Sequence, residues 1–239
     1  AEPLIFHGSG PEADTGSWVL LRDITSQLET EQIRRDFVAN ASHEQRTPQS
    51  IINGYHESMD ESNVDLNQAI YRRAVRTMRK HGERIARIID DMLTISKLEN
   101  SETLLKKEEF DLRDSLEEMV SQLMPIIEER HARVKIQSEP ANAEWKLVGD
   151  RFYWDQIFFN LIENALKHNT EPGLNITIDF REENGRFLVS VSDDGIGIPS
   201  ADVPLVFKRF YRVEKHHAQD KTSGTGLGLS IVKRAVEAH

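Results

Sequence analysis

The sequence predicts an α+β protein: a long helical hairpin followed by an α/β sandwich unit. Three observations predict it. Between residues 26 and 99 apolar residues recur at helical spacing, with one interruption at the polar stretch Ser62-Asn63-Val64-Asp65. Beyond the charged segment Leu105-Lys106-Lys107-Glu108-Glu109 the pattern changes to helices mixed with alternating, strand-like runs. The 239 residues, 38% hydrophobic and 29% charged, have the composition of an ordinary soluble protein with room for one large core or two smaller ones. The expected domains are 1–25, 26–105 and 106–239.

The start, Ala1 to Leu21, enters without a helix or strand signal, its Gly- and Pro-containing His7-Gly8-Ser9-Gly10-Pro11 leading to Trp18-Val19-Leu20-Leu21, a short apolar run that suits a buried strand. One strand is not stable alone. The opening is therefore expected to be the last hairpin of an upstream domain, with a disordered leader as the alternative. Two helices follow, over 26–62 and 66–99. The second puts Val75, Met78, Ile85, Ile88, Met92, Ile95 and Leu98 on one stripe. A lone hairpin would leave such stripes half exposed, and pairing with a second copy into a four-helix bundle is the simplest remedy. Pro48 is expected to bend the first helix. In the second module, helices are expected over 112–132 and 150–168. Strands are expected over 134–137, 146–148, 175–180 and 187–192, the last two joined by the turn Glu183-Asn184-Gly185.

A net charge of -10 argues against non-specific nucleic-acid binding, which neutralises phosphates with Lys and Arg. The absence of cysteine excludes disulfides and thiolate metal ligands. No run approaches the roughly 20 apolar residues that cross a bilayer, and no signal peptide is visible. Both ends look cut, the last residues stopping inside a helical pattern.

Four groups of residues suggest chemistry. Asp193-Asp194-Gly195-Ile196-Gly197-Ile198-Pro199 follows a strand, and its glycines allow a sharp turn and a close ligand, with Asp193 free to accept from an amine. Gly224-Thr225-Gly226-Leu227-Gly228-Leu229 opens the last helix, whose first amides form a natural phosphate site. Either alone is a common structural turn. On the helix over 150–168, Asn160, Asn164, Lys167 and His168 share one face. That face is either solvated or binds a ligand, an amide helping to hold hydrated Mg²⁺ and a lysine meeting phosphates. In Ala41-Ser42-His43-Glu44-Gln45-Arg46-Thr47-Pro48, Glu44 adjoins the imidazole and can take its proton, freeing the other ring nitrogen to attack phosphorus. A histidine on a helix is more often a surface residue.

Together and in this order, the four groups resemble the HisKA-type sensor histidine kinases over nearly the whole chain. The resemblance implies that His43-Glu44-x-Arg46-Thr47-Pro48 is the phosphoacceptor box of a dimerisation and histidine-phosphotransfer hairpin. It makes Asn160 to His168 the N box, with Asn164 near Mg²⁺, and Asp193-x-Gly195-x-Gly197 the G1 box, whose aspartate reads the adenine amine. Ile198 and Tyr211 are expected to line the same ATP site. Phe207-Lys208-Arg209-Phe210-Tyr211-Arg212 resembles the F box of an ATP lid over 199–223, and Gly224 to Gly228 the G2 box. The opening strand with Asp23-Ile24-Thr25 resembles the end of a PAS sensory domain.

The resemblance further implies ATP and Mg²⁺ as cofactors, transfer of the γ-phosphate to His43 with Glu44 as base and Arg212 stabilising charge, and onward transfer to an aspartate of a response regulator. Thr47 is the candidate for positioning water in dephosphorylating that regulator. By family habit the fragment is cytoplasmic and belongs to a membrane-anchored sensor. Rival readings are a signalling scaffold that keeps the fold without phosphorylating itself, and a gyrase- or chaperone-like ATPase, which leaves the His43 hairpin unexplained.

One departure concerns the first hairpin helix. Its stripe through Phe37, Ala41, Gln45, Gln49, Ile52, His56 and Met59 is polar at three places where the family usually has leucine-like residues. Burying an unpaired amide or imidazole costs on the order of 1–3 kcal/mol, felt twice in a symmetric dimer. A weak, rearranged or absent dimer is one expectation; glutamines bonded across the seam are the other. The second departure is the missing Gly-Gly turn and closing strands at the end.

Overall fold

The computed structural model describes residues 4–7, 17–20, 23–60, 68–99, 105–139, 144–169, 172–184, 186–213 and 224–239. The linker Ser62-Asn63-Val64-Asp65, most of the glycine-rich opening, Leu21, Gly185 and the lid residues 214–223 lie outside them. The chain divides into two compact units, Ala1–Thr47 and Pro48–His239.

In the first unit, β1 (Leu4–His7) pairs antiparallel with β2 (Ser17–Leu20). The expected hairpin therefore has a partner strand that Leu4-Ile5-Phe6-His7 did not announce. Helix α1 (Thr25–Asp60) starts where the Asp23 carboxylate accepts from the Thr25 N–H at 2.9 Å. Hydrogen bonding from Thr25 holds that carboxyl below its ordinary range. The helix runs unbroken past Pro48, which only lacks the N–H owed to the carbonyl four residues earlier.

The expected α1 stripe faces inward at Phe37, Ala41, Gln45, Ile52 and Met59 and breaks at two of its polar positions. Gln49 and His56 are exposed, whereas Ala41 and Pro48 are buried and Ile51, Ile52, Tyr55 and Met59 half-buried. The exposed amide and imidazole carry no burial cost within one chain. On α2 (Gln68–Glu99), Ala74, Ile88 and Ile95 are buried, and Met78, Ile85, Met92 and Leu98 half-buried. Val75 faces outward instead, 42% exposed.

Among the described residues the α/β part contains two small sheets. Strand β3 (Glu108–Asp111) pairs antiparallel with β5 (Lys146–Gly149); in the other sheet β6 (Asn175–Glu183) lies between β4 (Arg133–Glu139), parallel to it, and β7 (Arg186–Asp193), antiparallel. Strand β3 was not expected. Period-2 alternation buries Ile176, Ile178 and Phe180 on one face of β6. They meet Leu112, Leu116, Met119, Leu123 and Ile127 of α3 (Leu112–Glu129) and Phe158, Ile162 and Leu166 of α4 (Arg151–His168), with Trp145 completing the core.

Helix α3 ends three residues before the expected 132 because His131 turns left-handed, φ 50°. Asp150 caps α4, accepting from Phe152 N–H at 3.2 Å. The last helix, α5 (Gly228–Ala238), packs Ile231, Val232 and Ala235 inward, against α4 and α2. Among the described residues no helix is long and apolar enough to cross a membrane.

Candidate functional site

Strand β7 ends at Asp193 and delivers the first glycine loop. The Asp193 carboxylate accepts from the Gly195 N–H at 3.0 Å. Asp194 accepts from both the backbone N–H and the side-chain amide of Asn175, at 2.8 and 2.6 Å, bonds that hold its carboxyl below the ordinary range. The loop is thus fastened to the start of β6. It is also fastened to the end of α4, where Asn169 accepts from the Ile196 N–H at 2.8 Å. Gly197 has φ +67°, and a Cβ there would meet nothing within 4 Å. That leaves backbone accessible to a ligand, with Ile196 and Ile198 exposed beside it.

Helix α4 places Asn160, Asn164 and Lys167 at half-buried positions and His168 at an exposed one. The Asn160 amide donates to the Gln156 carbonyl at 2.8 Å, and its Oδ1 lies 2.6 Å from where a Cβ on Gly228 would stand. The second glycine group therefore closes directly on the α4 face. Lys167 pairs with Glu163 at 2.8 Å, and Glu163, 8% exposed, also binds Arg87 of α2 at 2.7 Å.

In the second glycine group Gly224 faces open space, while Gly226 (φ +72°) lies against the Phe210 backbone, 2.9 Å from where its Cβ would stand. The Phe210 N–H donates to the Gly226 carbonyl at 2.8 Å, joining the Phe207–Arg212 segment to the second glycine group. Buried Thr225 accepts from Leu227 N–H at 3.2 Å and donates to Asp91 of α2 at 2.8 Å. Burial pushes the Asp91 carboxyl up to about 6, against the lowering effects of the Thr225 bond and Arg87. Leu227 is fully buried and Leu229 half-buried, so they anchor the start of α5. In the lid, Tyr211 donates to Asp202 at 2.5 Å, Arg209 pairs with Glu99 of α2, and Arg212 is exposed.

The structure thus brings together three of the four groups, around the C-terminal half of α4 and the start of α5. His43, Glu44 and Thr47 belong to the other compact unit. There His43 and Thr47 are exposed, one turn apart on α1, and Glu44 is half-buried. Sequence reasoning missed Asn169, Asn175, Arg87, Asp91 and Glu163, each of which has a partner remote in sequence. Among the described residues, no group of three or more His, Cys, Asp or Glu side chains is arranged to hold a metal ion.

Comparison with known proteins gives consistent matches. Residues 33–101 match the His Kinase A (phospho-acceptor) domain, and residues 149–239 the Histidine kinase-, DNA gyrase B-, and HSP90-like ATPase family. The chain is 35% identical over 225 residues to sensor histidine kinase WalK of Bacillus subtilis, covering 94% of this chain and 36% of that protein. It spans about a third of the length of that curated relative. The structure of Acinetobacter baumannii histidine kinase AdeS shares its fold at TM-score 0.64 and 21% identity, over 82% of this chain and 86% of that one. Histidine kinase ThkA, solved in complex with response regulator protein TrrA, gives TM-score 0.61 and 21% identity over 82% and 58%. With the phospho-acceptor match over 33–101, the ATPase match over 149–239 and the WalK match over 94% of its length, the chain belongs to the sensor histidine kinase family.

Proposed function

We propose that this chain binds ATP with Mg²⁺ in its α/β layers, phosphorylates its own His43 and passes the phosphoryl group to an aspartate of a response regulator. The observation that carries the reading is the convergence of the two glycine groups on one polar helix face. Gly197 and Gly224 leave backbone open to a ligand, and α5 begins with amides that favour an anion. The residues fit a nucleotide. Asp193 would read the adenine amine, with Gly195, Gly197, Ile198 and Tyr211 around the base. Gly224, Thr225, Gly226, Leu227, Gly228 and Leu229 would cradle phosphates, with Lys167 and His168 at their edge. Asn160 and Asn164 would orient them, Asn164 through Mg²⁺.

ATP supplies the transferable phosphoryl group, and Mg²⁺ offsets the charge of the phosphates. His43 bonds to phosphorus through one ring nitrogen as the bond to the leaving diphosphate oxygen breaks, while Glu44 takes the proton from the other nitrogen. Arg212 stabilises the charge that develops. Thr47, one turn after His43, positions water for the reverse task of dephosphorylating the regulator. We assign residues 26–105 to the phosphotransfer hairpin, 106–239 to the ATP-binding domain and 1–25 to the end of a PAS-like sensor, in a cytoplasmic region of a membrane-anchored protein.

Incubation with γ-labelled ATP and Mg²⁺ tests this. Acid-labile label that passes to a receiver domain is expected, and none on Asn164→Ala, which keeps the fold but loses the Mg²⁺ position. ATP binding without any label would favour a kinase-inactive scaffold.

A further inference from the structure

We propose that Asn169, the residue just after α4, is a positioning residue for the nucleotide site: its carboxamide sets the first glycine loop on α4 and is the reason residue 195 is glycine. This deepens the ATP-binding reading above and rests on it.

Asn169 is 7% exposed. Its Oδ1 accepts from the Ile196 N–H at 2.8 Å, and its Nδ2 donates to the Ala165 carbonyl at 2.7 Å. One side chain therefore satisfies a loop amide and a helix-end carbonyl together. Each would otherwise be left short of a partner. A Cβ on Gly195 would overlap this carboxamide, meeting its Oδ1, Cγ and Nδ2.

The two glycines of the loop are glycine for different reasons. Gly197 adopts a left-handed backbone, φ +67°, with open space around it. Among the described residues the glycines of positive φ are Gly173, Gly197 and Gly226, and Gly195 is not one of them. A side chain there would have to drive the buried Asn169 carboxamide off its two hydrogen bonds. The grip reaches the proposed adenine reader in one step, because the Gly195 N–H that follows Asp193 holds the Asp193 carboxylate at 3.0 Å. Asp194 and Asn175 fasten the same turn on its other side. Asn169 thus makes the loop and the Asn160–Asn164 face of α4 one preorganised frame. A purely structural cap would instead affect stability and leave ATP affinity alone.

The test is a double-mutant cycle on the full chain, with ATP·Mg²⁺ affinity measured by calorimetry and folding by circular dichroism. Asn169→Ala is expected to remain folded and weaken ATP by about 10-fold, the scale of one lost positioning bond. Gly195→Ala is expected to cost more than about 10-fold on the wild-type background and less than about 3-fold on Asn169→Ala, where its methyl has room. Where Gly195→Ala alone fails to fold, the double variant is expected to fold. Wild-type affinity in Asn169→Ala, or an equal loss from Gly195→Ala on both backgrounds, overturns the positioning role while the ATP reading stands. Failure of the double variant to fold overturns the steric claim. No ATP binding by the wild-type chain overturns the ATP reading itself, and Asn169's role with it.

Discussion

Residue by residue, the glycines of the candidate site divide by physical cause. Gly226 combines φ +72° with a Phe210 backbone 2.9 Å from where its Cβ would stand, while Gly224 has nothing within 4 Å. Backbone cannot swing aside as a side-chain tip can. Gly226→Ala is therefore expected to destabilise the chain by about 2 kcal/mol and Gly224→Ala by under about 0.5 kcal/mol. Thermal unfolding without nucleotide checks this; equal midpoints for the two variants would contradict it. The motif glycines were legible in the sequence only together, in order with the polar helix face and the His43 segment, since either group alone is a common structural turn. Their individual reasons were not legible. Asn169 lies 27 residues from the amide it grips, and nothing local marks it apart from its place after the N box.

Among the elements, α2 touches more of the α/β part than its place in the expected hairpin announces. Its Arg87, Asp91 and Glu99 reach Glu163 of α4, Thr225 of the second glycine group and Arg209 of the Phe207–Arg212 segment, so this helix holds three of the pieces around the proposed nucleotide site. Lys167 and Thr225, both proposed to meet phosphates, are engaged with Glu163 and Asp91. Asp91 gives the contact a pH dependence. Its folded pKa is raised from 3.8 to about 6. Its contribution is thus fully present below about pH 4 and is lost as pH rises through about 6. The loss is at most about 3 kcal/mol, from 1.36 kcal/mol per unit. The neighbouring charges of Arg87, Glu163 and Lys167 are common to wild type and Asp91→Asn. The wild-type unfolding midpoint should therefore fall relative to Asp91→Asn between pH 5 and pH 7, and a constant difference would refute the assignment. None of this was legible from α2's pattern, because Arg87, Asp91 and Glu99 lie off its apolar stripe and their partners here are remote in sequence. Strand β3 was missed for a related reason: Glu-Glu-Phe-Asp has poor strand propensity and depends on β5 for its place.

On the scale of the whole molecule, both modules and nearly every long element were legible, because helical and two-residue periodicities persist over many residues. Surfaces were less so. Gln49 and His56 are exposed on α1, and α2 presents Tyr71, Val75, Ile89 and Leu93 outward. We propose that these outward faces form the seam between two copies, weakened by the polar residues of α1. Light scattering should then find tighter dimers in Gln45→Leu/Gln49→Leu/His56→Leu than in wild type. Two equally tight dimers would show that the polar residues pair across the seam.

The central claim is that His43 is the phosphoacceptor, and site mapping tests it most directly. Peptide mass spectrometry at alkaline pH, after incubation with ATP and Mg²⁺, should place a single phosphoryl group on His43 and find none on His43→Gln. Phosphate on another residue, or label persisting in His43→Gln, would contradict the account.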